Sequence, residues 1–360
     1  MSFWNDVRKN KKPFFCLAPM ADVTDRAFRG FIAKHGKPDV MWTEFVSANG
    51  LASAGRDALL IDLQYETIER PIVAQLFSAD PLKMEEAVKL VCDMGFDGVD
   101  INMGCPDRTI EKQGAGAAMI KNPSIALEVI CAAKRGIVKS GRNIPLSVKT
   151  RIGYNDVQLN EWIPLLLSEG IDALTVHART RKDMSKVPAQ WSYIKEVVKL
   201  RDKLAPETVV IGNGDVVSLA DGREKAKESG CDGIMVGRAI FGNPWFFDER
   251  RQVVATLPKK QAWCIRKIPF LRKYFDTKRR AVVSMTKPIT TSERLDMMVE
   301  HTKLFTELLG DVKSFAIMKK HFKAYCTGFD GAKELRTQLM ETKNAEEVVL
   351  LVNNFLTNKG

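Results

Sequence analysis

The sequence has few of the patterns that build metal sites, disulfide frameworks or membrane spans. Its seven cysteines include no C-x-x-C pair, and its four histidines lack the H-E-x-x-H spacing of a zinc site. An odd number of scattered cysteines favours reduced thiols, so we expect neither a metal nor a disulfide-stapled fold. No apolar run approaches the ~20 residues that span a bilayer, and the first residues show no signal-peptide pattern. We therefore expect a cytoplasmic protein.

Acidic residues are almost missing from one stretch of this basic chain. The net charge is +11, from 55 lysines and arginines against 44 acids. Between Lys259 and Lys287 ten basic residues accompany a single acid, Asp276, which gives this stretch 10 − 1 = +9. Four aromatic residues are interleaved with these cations. Such a pattern suits a nucleic acid, and a solvated linker is the alternative interpretation.

A dinucleotide-binding turn is also missing. A doubly wound sheet would carry G-x-G-x-x-G after its first strand, whereas the sequence there, APMADVTD, has no glycine. The strand-like segments are mostly near-continuous apolar runs, as in parallel strands covered on both faces. There are eight of them: 14–20, 40–45, 72–77, 98–104, 145–151, 173–179, 208–214 and 233–239. Eight strand–helix units within about 240 residues predict a (β/α)8 TIM barrel.

Helical patterns separate these strands and fill the end of the chain. Those between the strands include 81–95, where Leu82, Val88 and Cys92 fall toward one side, and also 123–137 and 218–230. Near the end, Thr290 and Glu293 fit a capping box before an apolar run, and helices are predicted at 312–326, 332–343 and 345–357. We predict three units: a barrel over 1–250, a basic connector or insertion over 251–290, and a small all-helical domain over 291–360.

Polar side chains cluster at the predicted ends of the strands, where such barrels place their active sites. Burying so many unpaired polar groups would be costly, so we expect them to face a ligand, although caps and internal ion pairs could account for one or two. Glycines at the ends of the seventh and eighth strands, beside Arg238, indicate a phosphate site. The strand-end groups are Pro19, Met20, Glu44, Gln75, Asn102, Cys105, Lys149, Arg151, His177, Arg179, Asn213, Gly214, Gly237 and Arg238.

Two cations on neighbouring strands suggest what that ligand carries. Lys149 and His177 could neutralise an anionic cofactor ring such as a reduced flavin, while Gln75 could hydrogen-bond the amide edge of the ring. His177 alone is as consistent with a satisfied core histidine.

Seven motifs in order resemble the tRNA-dihydrouridine synthases over nearly the whole barrel: APMADVTDRAFR, PIVAQLF, DINMGCPDRTIEKQGAGAAMI, SVKTRIG, TVHARTR, IGNGDV and MVGRAIFGNPWFF. The tail segment KKHFKAYCTGF resembles the C-terminal domain of that family, whereas KDMSKVPAQW differs from the family's usual segment before its tryptophan. The resemblance implies FMN on the barrel, NADPH as reductant, uridine in tRNA as substrate, and tRNA binding by the helical domain. It matches Cys105 to the catalytic cysteine, and Asn102 and Arg179 to positions near the target base. The matched flavin-binding positions are Pro19, Met20, Gln75, Lys149, His177, Asn213, Gly214, Asp215, Gly237 and Arg238.

Reducing the uracil 5,6 double bond requires a hydride at C6 and a proton at C5. We expect reduced FMN to give the hydride from N5 and the Cys105 thiol to give the proton, because a thiol of pKa about 8.5 is mostly protonated at neutral pH. We expect a monomer. The alternatives are a flavin-dependent barrel acting on a small pyrimidine and a non-catalytic tRNA-binding protein. Cations expected to contact tRNA are Arg279, Arg280, Lys319, Lys320 and Lys323.

Overall fold

Eight parallel strands form a closed barrel in the computed structural model, which describes residues 2–10, 13–256, 282–286 and 289–358. Their order in the sheet is β1-β8-β7-β6-β5-β4-β3-β2, and a bridge between Cys16 and Val40 joins the first strand to the segment leading into the second. The predicted TIM barrel is confirmed, and every strand overlaps its predicted run. The strands are β1 (Phe14–Leu17), β2 (Met41–Ser47), β3 (Ile72–Phe77), β4 (Gly98–Met103), β5 (Leu146–Arg151), β6 (Ala173–His177), β7 (Val209–Asn213) and β8 (Gly233–Val236).

Helices follow the strands and cover the outer face of the barrel. Pro81 and Pro123 stand at the starts of two of them, where a missing N–H costs nothing. Leu82 is 68% exposed, so the sequence assigned it to the wrong side of its helix. The helices are α1 (Phe3–Asn10), α2 (Arg26–Gly36), α3 (Ala48–Leu51), α4 (Arg56–Leu60), α5 (Pro81–Asp93), α6 (Arg108–Lys112), α7 (Pro123–Lys139), α8 (Leu159–Ser168), α9 (Trp191–Leu204) and α10 (Leu219–Ser229).

The interior of the barrel is a separate core made by alternate residues of the strands. Phe14, Val73, Ala173 and Val209 belong to this cluster and are completely buried. The ring of Trp4, on α1, lies 6.0 Å from that of Phe14 and closes the end of the barrel at which the strands begin. Because that end is plugged, a ligand reaches the barrel from the opposite end, where the strands finish.

The tail begins with a hairpin that the sequence did not predict. Strands β9 (Gln252–Thr256) and β10 (Val282–Thr286) pair antiparallel within the predicted connector, and the residues between them lie outside the described part of the chain. The capping box of Thr290 and Glu293 is confirmed. Residues 315–317 form a 3-10 turn where the predicted helix 312–326 should have begun. The tail helices are α11 (Thr291–Leu309), α12 (Met318–Tyr325), α13 (Ala332–Glu341) and α14 (Ala345–Thr357).

A partly buried ion-pair cluster joins the tail to the barrel. The ammonium of Lys313 lies 2.9 Å from a carboxylate oxygen of Glu44, in the middle of β2, and 2.6 Å from one of Asp62, in the segment that follows that strand. Burial raises the pKa of Glu44, and the nearby lysine opposes that shift. The tail therefore contacts the barrel at β2 and at the segment that follows it. Among the described residues no helix is both long and apolar enough to cross a membrane.

Candidate active site

A cavity of about 1030 Å³ opens at the ends of β1 and β5 to β8. Every residue that the sequence assigned to a cofactor lines it except Gln75, which is completely buried. Arg179, assigned to the target base, lines the same cavity. The volume suits a ligand of cofactor size. Strand ends that are far apart in sequence thus converge on one site.

Glycine backbone forms the corner of the cavity where the sequence indicates a phosphate. Gly214 has a φ of +130°, and a side chain at Gly237 would meet nothing closer than 3.6 Å, the distance to the sulfur of Met20. Space therefore lies beside Gly237, where a ligand could approach the backbone. The side chain of Arg238 is 63% exposed at this corner and lies 3.0 Å from the carboxylate of Asp215.

Lys149 is a partly buried cation whose ammonium makes no hydrogen bond or ion pair within the described part of the chain. Burial lowers the pKa of Lys149 to about 8, the charge of Arg151 acts in the same direction, and Asp100 opposes both. The lysine therefore remains mainly protonated at neutral pH. A cation that faces a cavity without a partner fits an anionic ring edge.

His177 does not carry the positive charge that the sequence suggested. Burial lowers its pKa well below the ordinary value, and the neighbouring Arg151 and Lys149 lower it further. A guanidinium nitrogen of Arg179 lies 3.1 Å from Nε2 of His177, so this nitrogen accepts a hydrogen bond in the neutral ring. Of the predicted pair, only Lys149 supplies charge to the cavity.

Arg179 is occupied by contacts within the protein. Its side chain is 2% exposed and donates to the carbonyl of Val187 at 2.6 Å and to the carboxylate of Asp215. Although burial raises the pKa of Asp215, the hydrogen bond from Arg179 holds it below its usual value. This arginine therefore braces the loop that follows β6, which is the loop where the sequence departs from the resembled family.

Cys105 lies half-buried on the turn after β4, with the glycine-rich loop packed against it. The N–H of Ala117 donates to the Cys105 carbonyl at 2.9 Å. Gly116 has a φ of +61°, and a side chain there would stand 2.8 Å from that carbonyl oxygen and 2.9 Å from Ile110. The glycine is therefore required by both conformation and space. Burial raises the pKa of the Cys105 thiol, and a hydrogen bond with the backbone of Asp107 and the charge of Lys149 oppose that shift.

Two groups around this turn have roles that the sequence did not assign. Arg151 donates to the carbonyl of Gly104 at 2.7 Å and to that of Thr180 at 3.1 Å, so it ties the cysteine turn to the loop after β6. Asp100 is completely buried inside β4. An acid within the apolar run GVDINM was the available signal, since alternate residues of a barrel strand point inward.

The predicted tRNA-contacting cations are only partly described. Lys320, on α12, lies 2.8 Å from Asp22 in an exposed ion pair. Lys319 is half-buried and Lys323 is exposed, and neither forms an ion pair with a described residue. Arg279 and Arg280, with most of the basic cluster, lie outside the described residues.

The fold and this site define a TIM barrel with a polar cavity of cofactor size where its strands end. The sequence model of the family described as dihydrouridine synthase matches residues 16–359. The chain belongs to the dihydrouridine synthase family, and it is a flavin-dependent enzyme.

Named relatives are similar along almost their whole length. The "Probable tRNA-dihydrouridine synthase 2" of Bacillus subtilis (strain 168) is 36% identical over 357 residues, covering 98% of this chain and 96% of that protein. The "Probable tRNA-dihydrouridine synthase" of Staphylococcus aureus (strain COL) is 34% identical, covering 98% and 95%. Among solved structures, a variant of NCR from Zymomonas mobilis is 15% identical with a TM-score of 0.45, over 69% of this chain and 90% of that one, a likeness too low to bear on function.

Proposed function

We propose that this protein reduces the 5,6 double bond of uridines in tRNA, with FMN as resident cofactor and NADPH as reductant. The observation that carries the proposal is the position of the half-buried thiol of Cys105, on the turn that follows β4. The N–H of Cys105 donates to Asn102, which is the strand neighbour of the cavity residue Lys149. Cys105 does not itself line the cavity, so in this proposal the base would lie between the cavity and the turn that carries the thiol. The names of the relatives support tRNA as the substrate.

The residues around the cavity fit FMN. Gly214, Gly237 and Arg238 would receive its phosphate, since backbone N–H groups and a guanidinium suit a dianion. Lys149 would hold the anionic edge of the ring, and Met20, which lines the same cavity, would contact the ring face. Reduced FMN, when bound, supplies the hydride that uracil C6 requires.

The Sγ atom of Cys105 would hold the proton that uracil C5 requires. Burial raises the thiol pKa, so the protonated form dominates at neutral pH. A thiolate nucleophile is less suited to this position, since no described side chain accepts a hydrogen bond from Sγ of Cys105 as a base would. General acid catalysis is therefore the assignment that fits the surroundings of this sulfur.

The tail would hold the tRNA. A uridine in folded tRNA must be swung out of its stack, which costs a few kcal/mol, and cationic contacts to phosphates offset that cost. Lys319 and Lys323 are suited to such contacts because neither is neutralised by a described carboxylate. In this proposal 1–250 performs the chemistry, 251–290 is a basic connector, and 291–360 binds tRNA. The enzyme would act as a cytoplasmic monomer.

The direct test is incubation of the purified protein with FMN, NADPH and unmodified tRNA transcript, followed by nuclease digestion and mass spectrometry. Dihydrouridine at defined positions of the tRNA is the expected result. Free uridine and an unstructured RNA of the same composition serve as controls. Equal kcat/KM on free uridine would instead favour a small-pyrimidine reductase. A colourless preparation that binds tRNA and forms no product would favour a non-catalytic protein.

A further inference from the structure

A short chain of polar side chains crosses the largely apolar interior of the barrel. Gln75 and Asp100 are direct neighbours in the pairing of β3 with β4, and Asp100 and Ser147 are neighbours in that of β4 with β5. All three side chains are completely buried. Polar groups in such surroundings must form hydrogen bonds with one another, because water cannot replace a partner that is lost.

The bonds begin at a carboxylate. One oxygen of Asp100 accepts from the hydroxyl of Ser147 at 2.5 Å, and the other accepts from Nε2 of Gln75 at 2.6 Å. Burial raises the pKa of Asp100 to about 6, with both hydrogen bonds opposing the shift, so the group is mainly ionised above neutral pH. In that form the carboxylate can only accept hydrogen bonds.

The bonds end at the cysteine turn. Oε1 of Gln75 accepts from Nδ2 of Asn102 at 3.1 Å. Oδ1 of Asn102 then accepts from the backbone N–H of Gly104 at 3.1 Å and from that of Cys105 at 2.9 Å. A side chain that accepts from N–H groups two and three residues later fixes a turn. Here the turn that it fixes carries the thiol.

The direction of every bond follows from the acceptor at the start. Because Asp100 can only accept, Gln75 must turn its NH2 group toward the carboxylate and its oxygen toward Asn102. Asn102 must then offer its NH2 group to Gln75, which leaves its oxygen for the N–H of Cys105. Reversing either amide would place two donors or two acceptors face to face.

We propose that Asp100 is a positioning residue that sets the orientation of Gln75 and Asn102 and so holds the Cys105 turn in its reactive geometry. The role of the turn in catalysis rests on the proposed function; the holding of the turn itself does not.

The experiment measures amide hydrogen exchange at Gly104 and Cys105 by mass spectrometry with residue-level fragmentation, on protein as purified. Asp100→Ala removes the acceptor and should speed exchange at both amides by about tenfold, the effect of losing roughly 1.4 kcal/mol. Asp100→Asn keeps one acceptor oxygen for Gln75, so exchange should stay within about threefold of wild type. Thr175→Val is the matched control, because the hydroxyl of Thr175 is buried on β6 and has no hydrogen-bond partner among the described residues.

A pair of variants separates orientation from packing. Asn102→Asp places a carboxylate on each side of Gln75, which can donate fully to only one, so exchange at Cys105 should again rise about tenfold. Adding Asp100→Asn lets the Gln75 amide turn over and donate to the new carboxylate, which still accepts from Cys105. The double variant D100N/N102D should therefore recover most of the protection of the Cys105 amide from exchange. If the two substitutions acted only as packing defects, their effects on exchange would instead add.

Two results would overturn the proposal: wild-type exchange in folded Asp100→Ala, or a double variant as fast as Asn102→Asp alone. If Asp100→Ala does not fold, the comparison of the single and double variants decides. Reduction of tRNA is measured in parallel. Failure of the wild-type protein to reduce tRNA would reject the proposed function, while the exchange data would still judge Asp100.

Discussion

Replacing Gly116 by alanine should move the reactive turn without touching the thiol. At a φ of +61° an alanine costs roughly 1–2 kcal/mol more than glycine. The added carbon would also stand 2.8 Å from the Cys105 carbonyl oxygen and 2.9 Å from Ile110, closer than real contacts allow. Overpacking of this kind costs about 1–3 kcal/mol, so Gly116→Ala should lose about 2–5 kcal/mol unless the loop shifts.

If the glycine-rich loop shifts to relieve the contact, the protein loses less stability but reduces uridine more slowly. The carbonyl of Cys105 is bonded to the N–H of Ala117, so relief of the contact must displace the turn that carries the thiol. A misplacement near 1 Å at a reacting group can cost about 100-fold in rate. We therefore expect the single-turnover rate of uridine reduction in tRNA, with reduced flavin preloaded, to fall at least tenfold.

Gly114→Ala is the matched control. Gly114 also has a positive φ, of +77°, but its nearest neighbour would be the side chain of Ala79, at 3.2 Å. Both variants should lose the conformational contribution to the free energy of unfolding, measured in urea. The single-turnover rate of Gly116→Ala should fall well below that of Gly114→Ala. Equal single-turnover rates in the two variants would refute the claim that the glycine loop sets the position of Cys105.

Three further predictions concern cations. FMN affinity should be constant up to about pH 8 and then fall by up to about tenfold per pH unit. Above that pH the free protein loses the proton of Lys149, whereas a bound anionic ligand keeps the lysine protonated. The FMN affinity of Lys149→Met should lack this pH dependence. Lys313→Met should lower the free energy of unfolding in urea by about 3 kcal/mol at pH 7.5, because it leaves the part-buried carboxylates of Glu44 and Asp62 without their cation. This loss of stability should shrink toward pH 5, because Glu44, whose pKa is raised, becomes protonated. Lys319→Ala with Lys323→Ala should weaken tRNA binding and reduce the salt slope by about 2, whereas Lys320→Ala, which removes an already paired cation, should change it less.

The sequence was most informative where the hydrophobic pattern and the topology agree. Parallel strands covered on both faces require apolar runs, so all eight strands could be located from the sequence. A barrel brings the ends of all its strands together, so the predicted fold also predicted where the cavity lies. Lys149 and Gly237 are far apart in the chain and both line it. Helix α1 was not predicted, since Trp4 is buried only through the barrel floor that the strands assemble.

Charge and orientation were harder to predict. The protonation of His177 depends on burial and on cations from neighbouring strands, neither of which a local pattern contains. Asp100 looked like an isolated acid because its partners, Gln75 and Ser147, come from other strands. Arg179 lines the cavity, and the sequence could not show that its guanidinium also binds a carboxylate and a loop carbonyl. Long-range pairing of this kind is visible only after folding.

The most direct measurement is the pH dependence of single-turnover uridine reduction, with flavin saturating, in wild type and in Cys105→Ala. Because burial raises the thiol pKa, a protonated donor predicts a wild-type rate that does not rise with pH through the neutral range. Cys105→Ala should lose about 100-fold or more in rate with its flavin content unchanged. A wild-type rate that climbs about tenfold per pH unit would indicate a thiolate instead. Full activity in Cys105→Ala would contradict the account at its centre.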